Sequence, residues 1–272
     1  MVGPSAGRRG RRPGQSAANE ASGPARTTPT SGASPAGRAA AWENTKSIIG
    51  AVLIFLFVRI FLVEAYRIPS SSMVPTLLVG DWLFVNKLVY GPHIPFVDVN
   101  LPGYAKPKRR DVVVFVSPPQ SDNGDDSTPT LVKRLWGMPG DTIYMRQGVL
   151  SINGVTYPQG AAFAQNETQP DRPDPLFTWQ RAYGLTNTRF GSAPAEPTHD
   201  NWGPLLVPAD HYFMMGDNRY NSKDSRYWGF VPRKNFRGRP LFVYYSYDPD
   251  AGLDYFRAIT EIRWNRIGHW IR

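Results

Sequence analysis

The sequence predicts a mostly β fold, with a single N-terminal transmembrane helix followed by a β-rich core that carries an inserted smaller β subdomain. Two observations support this prediction. One long apolar stretch occupies residues 47–63, and the chain beyond it alternates short apolar runs with turn-forming Gly, Pro and Asn. No long helical pattern follows the apolar stretch, apart from a short amphipathic piece at the C-terminus. The 272 residues suffice for one large or two small domains.

Residues 1–45 are predicted to form a disordered basic tail. They are rich in Gly, Ala, Ser, Pro and Arg, a composition that cannot bury enough apolar area to offset its ordering entropy. Residues 1–46 contain seven Lys or Arg residues against two Glu, and so contribute +5 to the net charge of +9. Residues 67–272 carry 23 basic and 19 acidic side chains. This ordinary balance argues against a nucleic-acid partner.

Residues 46–66 are predicted to form a transmembrane signal anchor. The apolar run is interrupted only by Gly50 and Arg59, and with Tyr66 as an interfacial anchor it reaches the roughly 20 residues that a bilayer requires. Arg59 lies near the C-terminal end, where its long side chain can bring the charge to the headgroups. A buried core helix and a cleavable signal peptide are the alternatives, but the following residues offer no small-x-small cleavage site.

The orientation of the anchor follows from the basic residues that precede it. They predict a cytoplasmic N-terminus in the inner (plasma) membrane, which leaves residues 67–272 extracytoplasmic. The chain has no cysteine. This excludes disulfides, thiolate zinc sites and a cysteine nucleophile, and it is compatible with an oxidising compartment.

The region after the anchor contains several predicted strands, bounded by turn signals. Asn153-Gly154 is a strong hairpin signal, and residues 138–141 read as a turn. Residues 159–204 are rich in Pro, Asn and Thr and are predicted to form loops and short strands, so the inserted subdomain is placed at roughly 150–212. The predicted strands are residues 82–89, 111–116, 131–135, 142–145, 149–157 and 241–246.

Metal and histidine chemistry have little support. The four histidines are far apart in the sequence, at positions 93, 199, 211 and 269. The chain has no H-E-x-x-H motif, which argues against a zinc site without excluding one, and no histidine lies in a recognisable triad context. It also has no S-x-x-K motif. Neither a metal nor a cofactor is predicted.

Three groups of short motifs are more specific. In chain order they are Pro69-Ser70-x-Ser72-Met73-x-Pro75-Thr76 with Gly80-Asp81, then Lys133-Arg134 with Gly137-x-Pro139-Gly140-Asp141, and finally Gly216-Asp217-Asn218-Arg219 with residues 221–229. Behind an N-terminal anchor, this ordered set resembles the bacterial type I signal peptidases (leader peptidases), the family with a serine–lysine dyad. The resemblance covers residues 42–250. Each motif alone is weak, but the ordered set is strong.

The resemblance implies a membrane-anchored serine endopeptidase that removes signal peptides through an acyl-enzyme, with Ser72 as nucleophile and Lys133 as general base. A serine hydroxyl needs a base within about 2.6–3.2 Å. A lysine, with an ordinary pKa of about 10.4, serves as that base only where burial favours its neutral form. The apolar neighbours Val132 and Leu135 favour such burial, and strand alternation sends Lys133 and Arg134 to opposite faces.

The other serines of the motifs receive separate roles by resemblance. Ser70, two residues before Ser72, is implied to supply a hydroxyl to the oxyanion hole, beside the backbone N–H of Ser72 itself. Ser222 matches the serine that orients the catalytic lysine. Ser71 is interpreted as a spacer.

The charged motif residues are implied to be structural. Asp224 and Arg226 match an ion pair near the site, with Arg134 as a further partner. The substrate is expected to pair as an extended strand against residues 66–70, with small side chains of the A-x-A pattern in apolar pockets. The implied substrate-binding residues are Tyr66, Ile68, Pro69, Leu83 and Val132.

The short distance from anchor to serine supports this interpretation independently. Ser72 lies nine positions after Val63, so it can be at most about 30 Å from the membrane surface, where a signal-peptide cleavage site emerges. Two residues depart from the family pattern: Tyr220 stands where many relatives have Asp, and Leu131 where an aromatic residue is common. Two alternatives stay open: an inactive membrane-tethered β domain that binds partners, and a dedicated single-substrate processing peptidase.

Overall fold

The computed structural model describes residues 35–94, 97, 99–120, 128–157, 171–248 and 260–272, with side chains from residue 42 onward. The chain divides into two compact units, residues 1–49 and residues 50–272. The described part of the first unit is helical. All strands described below belong to the second unit.

One long helix, α1, spans Pro35–Phe57 and continues as a π-helical turn over Val58–Leu62. The section Trp42–Leu62 has a mean hydropathy of 2.1 over its most apolar 18 residues, none of that window is buried, and it is long enough to cross a bilayer. This exposure argues against the core-helix alternative.

The bounds of this helix correct two predictions. Residues 35–45 are helical, whereas the tail was predicted to be disordered up to residue 45; residues 1–34 lie outside the described residues. The helix ends at Leu62, and Val63–Arg67 form a strand. Tyr66 is therefore a strand residue and not the last residue of the predicted membrane helix, because residues 63–67 pair with a neighbouring strand.

Strands dominate the described part of the chain, which confirms the predicted mostly β fold. Each pairs with its neighbours in antiparallel orientation. They are β1 (Val63–Arg67), β2 (Asp81–Asn86), β3 (His93–Ile94), β4 (Val99–Asn100), β5 (Val112–Val116), β6 (Thr130–Gly137), β7 (Thr142–Arg146), β8 (Val149–Ile152), β9 (Val155–Tyr157), β10 (Trp202–Leu206), β11 (His211–Met215), β12 (Val231–Pro232) and β13 (Phe236–Ser246).

The described strands form two main sheets. The large sheet has the order β1-β2-β13-β5-β6-β11-β12, the small sheet has the order β10-β7-β8-β9, and β3 pairs with β4. The small sheet therefore extends from Thr142 to Leu206, whereas the inserted subdomain was predicted at roughly 150–212. The sheet begins earlier because β7 pairs with β8 and β10, and it ends earlier because β11 pairs with β6 and so belongs to the large sheet.

The Asn153-Gly154 hairpin is confirmed. These two residues connect β8 to β9, and both have positive φ, 55° for Asn153 and 87° for Gly154. Positive φ at both central positions is typical of the type I′ turn, whose twist matches that of paired strands. Within the predicted 159–204 loop region, Pro175–Ala182 form a 3₁₀ helix, and residues 158–170 lie outside the described residues.

The centre of the large sheet is apolar on both faces. Val112 and Val114 of β5 pack into one cluster with Leu83, while Val113 and Phe115 pack into another. This alternation is the pattern of a strand buried on both faces. Lys133 and Arg134 pair with this strand in register, opposite Val113 and Val112. The sheet therefore carries two consecutive cations into the interior.

Candidate active site

The loop that carries Ser72 is closed at its base by the sheet. The Ile68 N–H donates to the Asp81 carbonyl at 2.8 Å, and the Gly80 N–H donates back to the Ile68 carbonyl at 3.0 Å. A 3₁₀ turn over Ser71–Met73 follows within this loop. Met73 and Leu77 are fully buried in the cluster that contains Leu83. The loop is thus anchored by backbone hydrogen bonds and by apolar packing.

Ser72 and Lys133 meet directly. Lys133 Nζ lies 2.6 Å from Ser72 Oγ, and the side chains are 3% and 7% exposed for Lys133 and Ser72 respectively. Burial lowers the pKa of Lys133 to about 8; the carboxylates of Asp224 and Asp217 oppose this shift, and Arg226 adds to it. A lysine with this pKa is substantially neutral at mildly alkaline pH, so it can accept a proton from the serine.

The serines beside Ser72 have distinct environments. Ser70 is exposed, and its Oγ lies 3.4 Å from Ser72 Oγ. Ser71 was predicted to be a spacer, but its Oγ accepts a hydrogen bond from Asn221 Nδ2 at 2.9 Å. The Asn218 N–H donates to the Ser72 carbonyl at 3.0 Å. Two residues of the third motif group therefore hold the backbone and side chains of the serine loop.

Ser222 has a different partner from the predicted one. Its hydroxyl donates to Asp224 Oδ2 at 2.9 Å, whereas the hydrogen bond from Lys133 Nζ goes to Ser72. The Gly216 N–H donates to the same carboxylate oxygen at 3.0 Å. Ser222 and Lys133 both lie in the described part of the chain, and no direct hydrogen bond joins them. Ser222 instead contacts the carboxylate that acts most strongly on the pKa of Lys133.

Asp224 and Arg226 form a bidentate ion pair in the interior. Arg226 Nε lies 2.8 Å from Oδ1 and Nη2 lies 2.9 Å from Oδ2, and both residues are fully buried. Burial alone would raise the pKa of Asp224, but the guanidinium and the backbone N–H donors hold it below its ordinary value. The carboxylate therefore stays ionised beside the dyad.

Arg134 is not the predicted third partner of that pair. It binds Asp217, with Nε 2.7 Å from Oδ1 and Nη2 2.6 Å from Oδ2. Arg134 pairs in register with Met215, two residues before Asp217. The oxygens of Asp224 are already occupied by Arg226, Ser222 and Gly216.

The site formed by Arg134 and Asp217 also includes Thr76. Thr76 and Asp217 belong to the sequence motifs but were not assigned a role. The Thr76 hydroxyl donates to Asp217 Oδ2 at 2.6 Å and accepts from Arg134 Nη2 at 3.1 Å. Thr76 follows the serine turn, Arg134 follows Lys133, and Asp217 precedes Asn218. This site therefore ties together the three segments that form the candidate active site.

His199 was noted among the four histidines but was given no role. Its Nε2 contacts both Arg226 Nη1 and, at 2.9 Å, the Arg219 carbonyl, and its Nδ1 lies 2.7 Å from Asp200 Oδ1. The imidazole is thus held between a guanidinium, a backbone carbonyl and a carboxylate, all in the interior beside the Asp224–Arg226 pair. The Tyr220 ring stacks on this imidazole at 5.0 Å. No local sequence pattern marks His199, since its partner Arg226 lies 27 positions away.

The predicted substrate-binding residues lie together, apart from the exposed Pro69. Ile68 and Leu83 are buried in one apolar cluster with Met73, and two partly buried members, Tyr66 and Val132, pack against it. Tyr66 and Leu83 are also paired in register between β1 and β2. Among the described residues, no group of three His, Asp or Glu side chains could hold a metal ion.

Comparison with known proteins agrees with this geometry. The family model for signal peptidase, peptidase S26, matches residues 41–245. Signal peptidase I of Pseudomonas fluorescens is 36% identical over 231 residues, covering 81% of this chain and 78% of the relative. The enzyme of Pseudomonas aeruginosa is 36% identical over 228 residues, covering 78% and 74%. That of Aquifex aeolicus is 32% identical over 224 residues, covering 72% and 80%. The chain therefore belongs to the peptidase S26 family, the signal-peptide-cleaving signal peptidases.

Proposed function

We propose that the chain is a membrane-anchored serine endopeptidase that removes N-terminal signal peptides from exported preproteins, with Ser72 as nucleophile and Lys133 as general base. The observation that carries this proposal is the 2.6 Å contact between Lys133 Nζ and Ser72 Oγ, made by a lysine buried enough to lose its proton near pH 8. Family membership gives the signal peptidase activity; the dyad supplies a mechanism for it.

The reaction proceeds through an acyl-enzyme. Neutral Lys133 accepts the hydroxyl proton while Ser72 Oγ attacks the scissile carbonyl carbon, forming a tetrahedral oxyanion. Collapse of this intermediate breaks the C–N bond, and the Lys133 ammonium returns the proton to the leaving amine. Water then attacks the ester with Lys133 again as base, releases the signal peptide as a carboxylate, and restores the Ser72 hydroxyl.

The oxyanion is held by the Ser72 backbone N–H and the Ser70 hydroxyl. Support comes from the position of Ser70, whose Oγ is exposed and lies 3.4 Å from the attacking oxygen. Removal of one such donor costs about 3 kcal/mol of transition-state stabilisation in hydrolases. Asp224 with Arg226, and Arg134 with Asp217, act indirectly, because they fix the segments that carry the dyad.

The substrate binds as an extended strand beside residues 66–70. β1 is an edge strand of the large sheet, so its free edge suits addition of a peptide strand. Ile68, Leu83 and Val132, with Tyr66 and Pro69 beside them, border the subsites that take the small side chains of an A-x-A cleavage site.

The anchor holds this chemistry at the bilayer. Helix residues Trp42–Leu62 cross the inner (plasma) membrane, the basic N-terminal residues stay cytoplasmic, and the catalytic region is extracytoplasmic. β1 begins directly after the helix, and Ser72 follows within nine positions of Val63. The serine is therefore kept close to the surface where the cleavage site of a signal peptide emerges.

The test is cleavage of an A-x-A preprotein by the full chain in detergent, with the cut site read by mass spectrometry. Ser72→Ala and Lys133→Ala should abolish processing, whereas the exposed control Lys234→Ala should retain it. Near-normal cleavage by either dyad variant would end the assignment. A panel of several preproteins separates general processing from a dedicated single-substrate peptidase, which would cut only one of them.

A further inference from the structure

A cavity of about 250 Å³ lies on the large sheet next to the end of the membrane helix. Asn86, which lines it, pairs in register with Val63 on one side and with Arg239 on the other. Val63 directly follows Leu62, the last helical residue. The next residue, Lys87, donates its backbone N–H to the Leu62 carbonyl at 2.9 Å. With the helix spanning the bilayer, as proposed above and on which this inference rests, these contacts put the cavity at the depth where the chain leaves the bilayer.

The lining of the cavity is positively charged. Lys106, Lys108 and Arg239 contribute three cations against the single carboxylate of Asp111, a balance of +2. Asp111 Oδ2 already accepts from the Tyr90 hydroxyl and from the Lys108 N–H, each at 2.9 Å. The ion pair between Arg239 and Asp111 is long, with 3.5 Å between Nη1 and Oδ1. The Arg239 side chain is 40% exposed, so its charge stays accessible. Among the described residues, neither lysine ammonium has an acceptor.

The rim of the cavity combines aromatic and polar groups. Tyr104 and Trp270 are 70% and 62% exposed. The Tyr104 hydroxyl accepts from Asn86 Nδ2 at 3.1 Å, and the Trp270 ring packs on Phe242 at 5.6 Å. Exposed Trp and Tyr beside Lys and Arg are typical of groups that lie at headgroup level in a membrane.

We propose that this cavity binds the phosphodiester headgroup of an anionic phospholipid, from the leaflet in which the membrane helix ends. The phosphate carries one negative charge and presents acceptor oxygens to Lys106, Lys108 and Arg239. Tyr104 and Trp270 lie against the glycerol and upper acyl region. The bound lipid fixes the height and rotation of the β region at the bilayer. This goes beyond the proposed cleavage reaction and does not depend on Ser72 or Lys133.

The experiment measures lipid binding by the full chain in an uncharged detergent. Dihexanoyl phosphatidylglycerol is titrated and its binding is followed by calorimetry, with dihexanoyl phosphatidylcholine and inorganic phosphate in separate arms. The cavity variant is Lys106→Gln/Lys108→Gln/Arg239→Gln. The matched control, Arg172→Gln/Arg181→Gln/Arg189→Gln, removes the same charge from exposed positions elsewhere in the chain.

Phosphatidylglycerol should bind saturably to the parent chain, and the cavity variant should bind it on the order of a hundredfold more weakly, at about fivefold for each basic side chain. The control variant should bind within twofold of the parent. Equal losses in both variants, equal binding of phosphatidylcholine, or displacement by inorganic phosphate would each overturn the proposal. Should the triple variant unfold, the exposed double variant Lys106→Gln/Lys108→Gln should still bind roughly 25-fold more weakly.

Discussion

Lys133 Nζ lies 2.6 Å from Ser72 Oγ, although 61 positions separate the two residues in the sequence. Each is fixed by a different part of the large sheet. Lys133 occupies the middle of β6, which is paired on both sides by β5 and β11. Ser72 is held in a short turn whose loop is closed onto β2. The contact is therefore set by the packed sheet, and its chemistry depends on the protonation state of a buried lysine.

The pH dependence of cleavage should report this lysine. Because only neutral Lys133 can accept the serine proton, and its pKa is lowered to about 8, kcat/KM should rise about tenfold per pH unit up to pH 8 and level off above it. The measurement is a pH–rate profile between pH 6 and 10 with a peptide substrate in detergent. A limb centred near 10.4, the ordinary value for lysine, would contradict the role of burial.

Replacing Asp224 by Asn should move the acid limb, the pH range over which kcat/KM rises, to lower pH. Asp224 is the carboxylate that raises the pKa of Lys133 most, while Arg226 lowers it, so loss of the negative charge favours the neutral amine. The variant should also be less stable by about 3–5 kcal/mol, because Arg226 is left as an uncompensated buried charge. The limb is read from pH–rate profiles and the stability from thermal unfolding. The exposed Asp210→Asn should change neither; a limb that moves upward would refute the assignment.

Arg134→Lys should fail to replace the native residue. The guanidinium contacts both oxygens of Asp217, the Thr76 hydroxyl and two backbone carbonyl groups. An ammonium group cannot make this planar set of bonds. We expect a loss of about 2–4 kcal/mol of unfolding free energy by denaturant titration, in the range for a damaged buried ion pair. Arg189→Lys, at an exposed position, is the control, and equal stability of the two variants would contradict the prediction.

Gly216→Ala should remove most of the activity. A methyl group there would overlap the Ser222 hydroxyl and lie 2.5 Å from the Ser72 carbonyl oxygen. Since Ser72 cannot move without lengthening its contact with Lys133, we expect kcat to fall by on the order of a hundredfold. Gly140→Ala is the control, because its Cβ would meet open space despite a φ of 84°. Its activity should be normal with a small loss of stability; normal activity in Gly216→Ala would show that the loop adapts.

Local patterns predict only part of this site. The alternation of β6 correctly suggested that Lys133 and Arg134 point apart, and the Asn-Gly pair marked the β8–β9 turn. The prediction that Arg134 joins the Asp224–Arg226 pair was wrong. The choice between Asp217 and Asp224 depends on the register of β6 with β11, which local patterns do not give. The strand at Val63–Arg67 was missed because its first residues were counted as the end of the predicted membrane helix, with Tyr66 as an interfacial anchor. Only its pairing with β2 reveals it.

His199 is the clearest residue that only the tertiary structure brings to light, and its replacement should act on the dyad at a distance. In His199→Leu, Arg226 Nη1 and the Arg219 carbonyl both lose their contact with the imidazole Nε2, at a cost of about 1–3 kcal/mol. A loosened Arg226 offsets the Asp224 charge less well, so the pKa of Lys133 should rise and the acid limb of kcat/KM should move to higher pH. His199→Gln keeps a polar amide near the position of Nε2 and should restore the limb toward pH 8. Tyr220→Phe retains the stacked ring and should leave the limb unchanged. A merely structural role for His199 predicts lower stability in the Leu variant with an unmoved limb, and that result would exclude the coupling between His199 and Lys133.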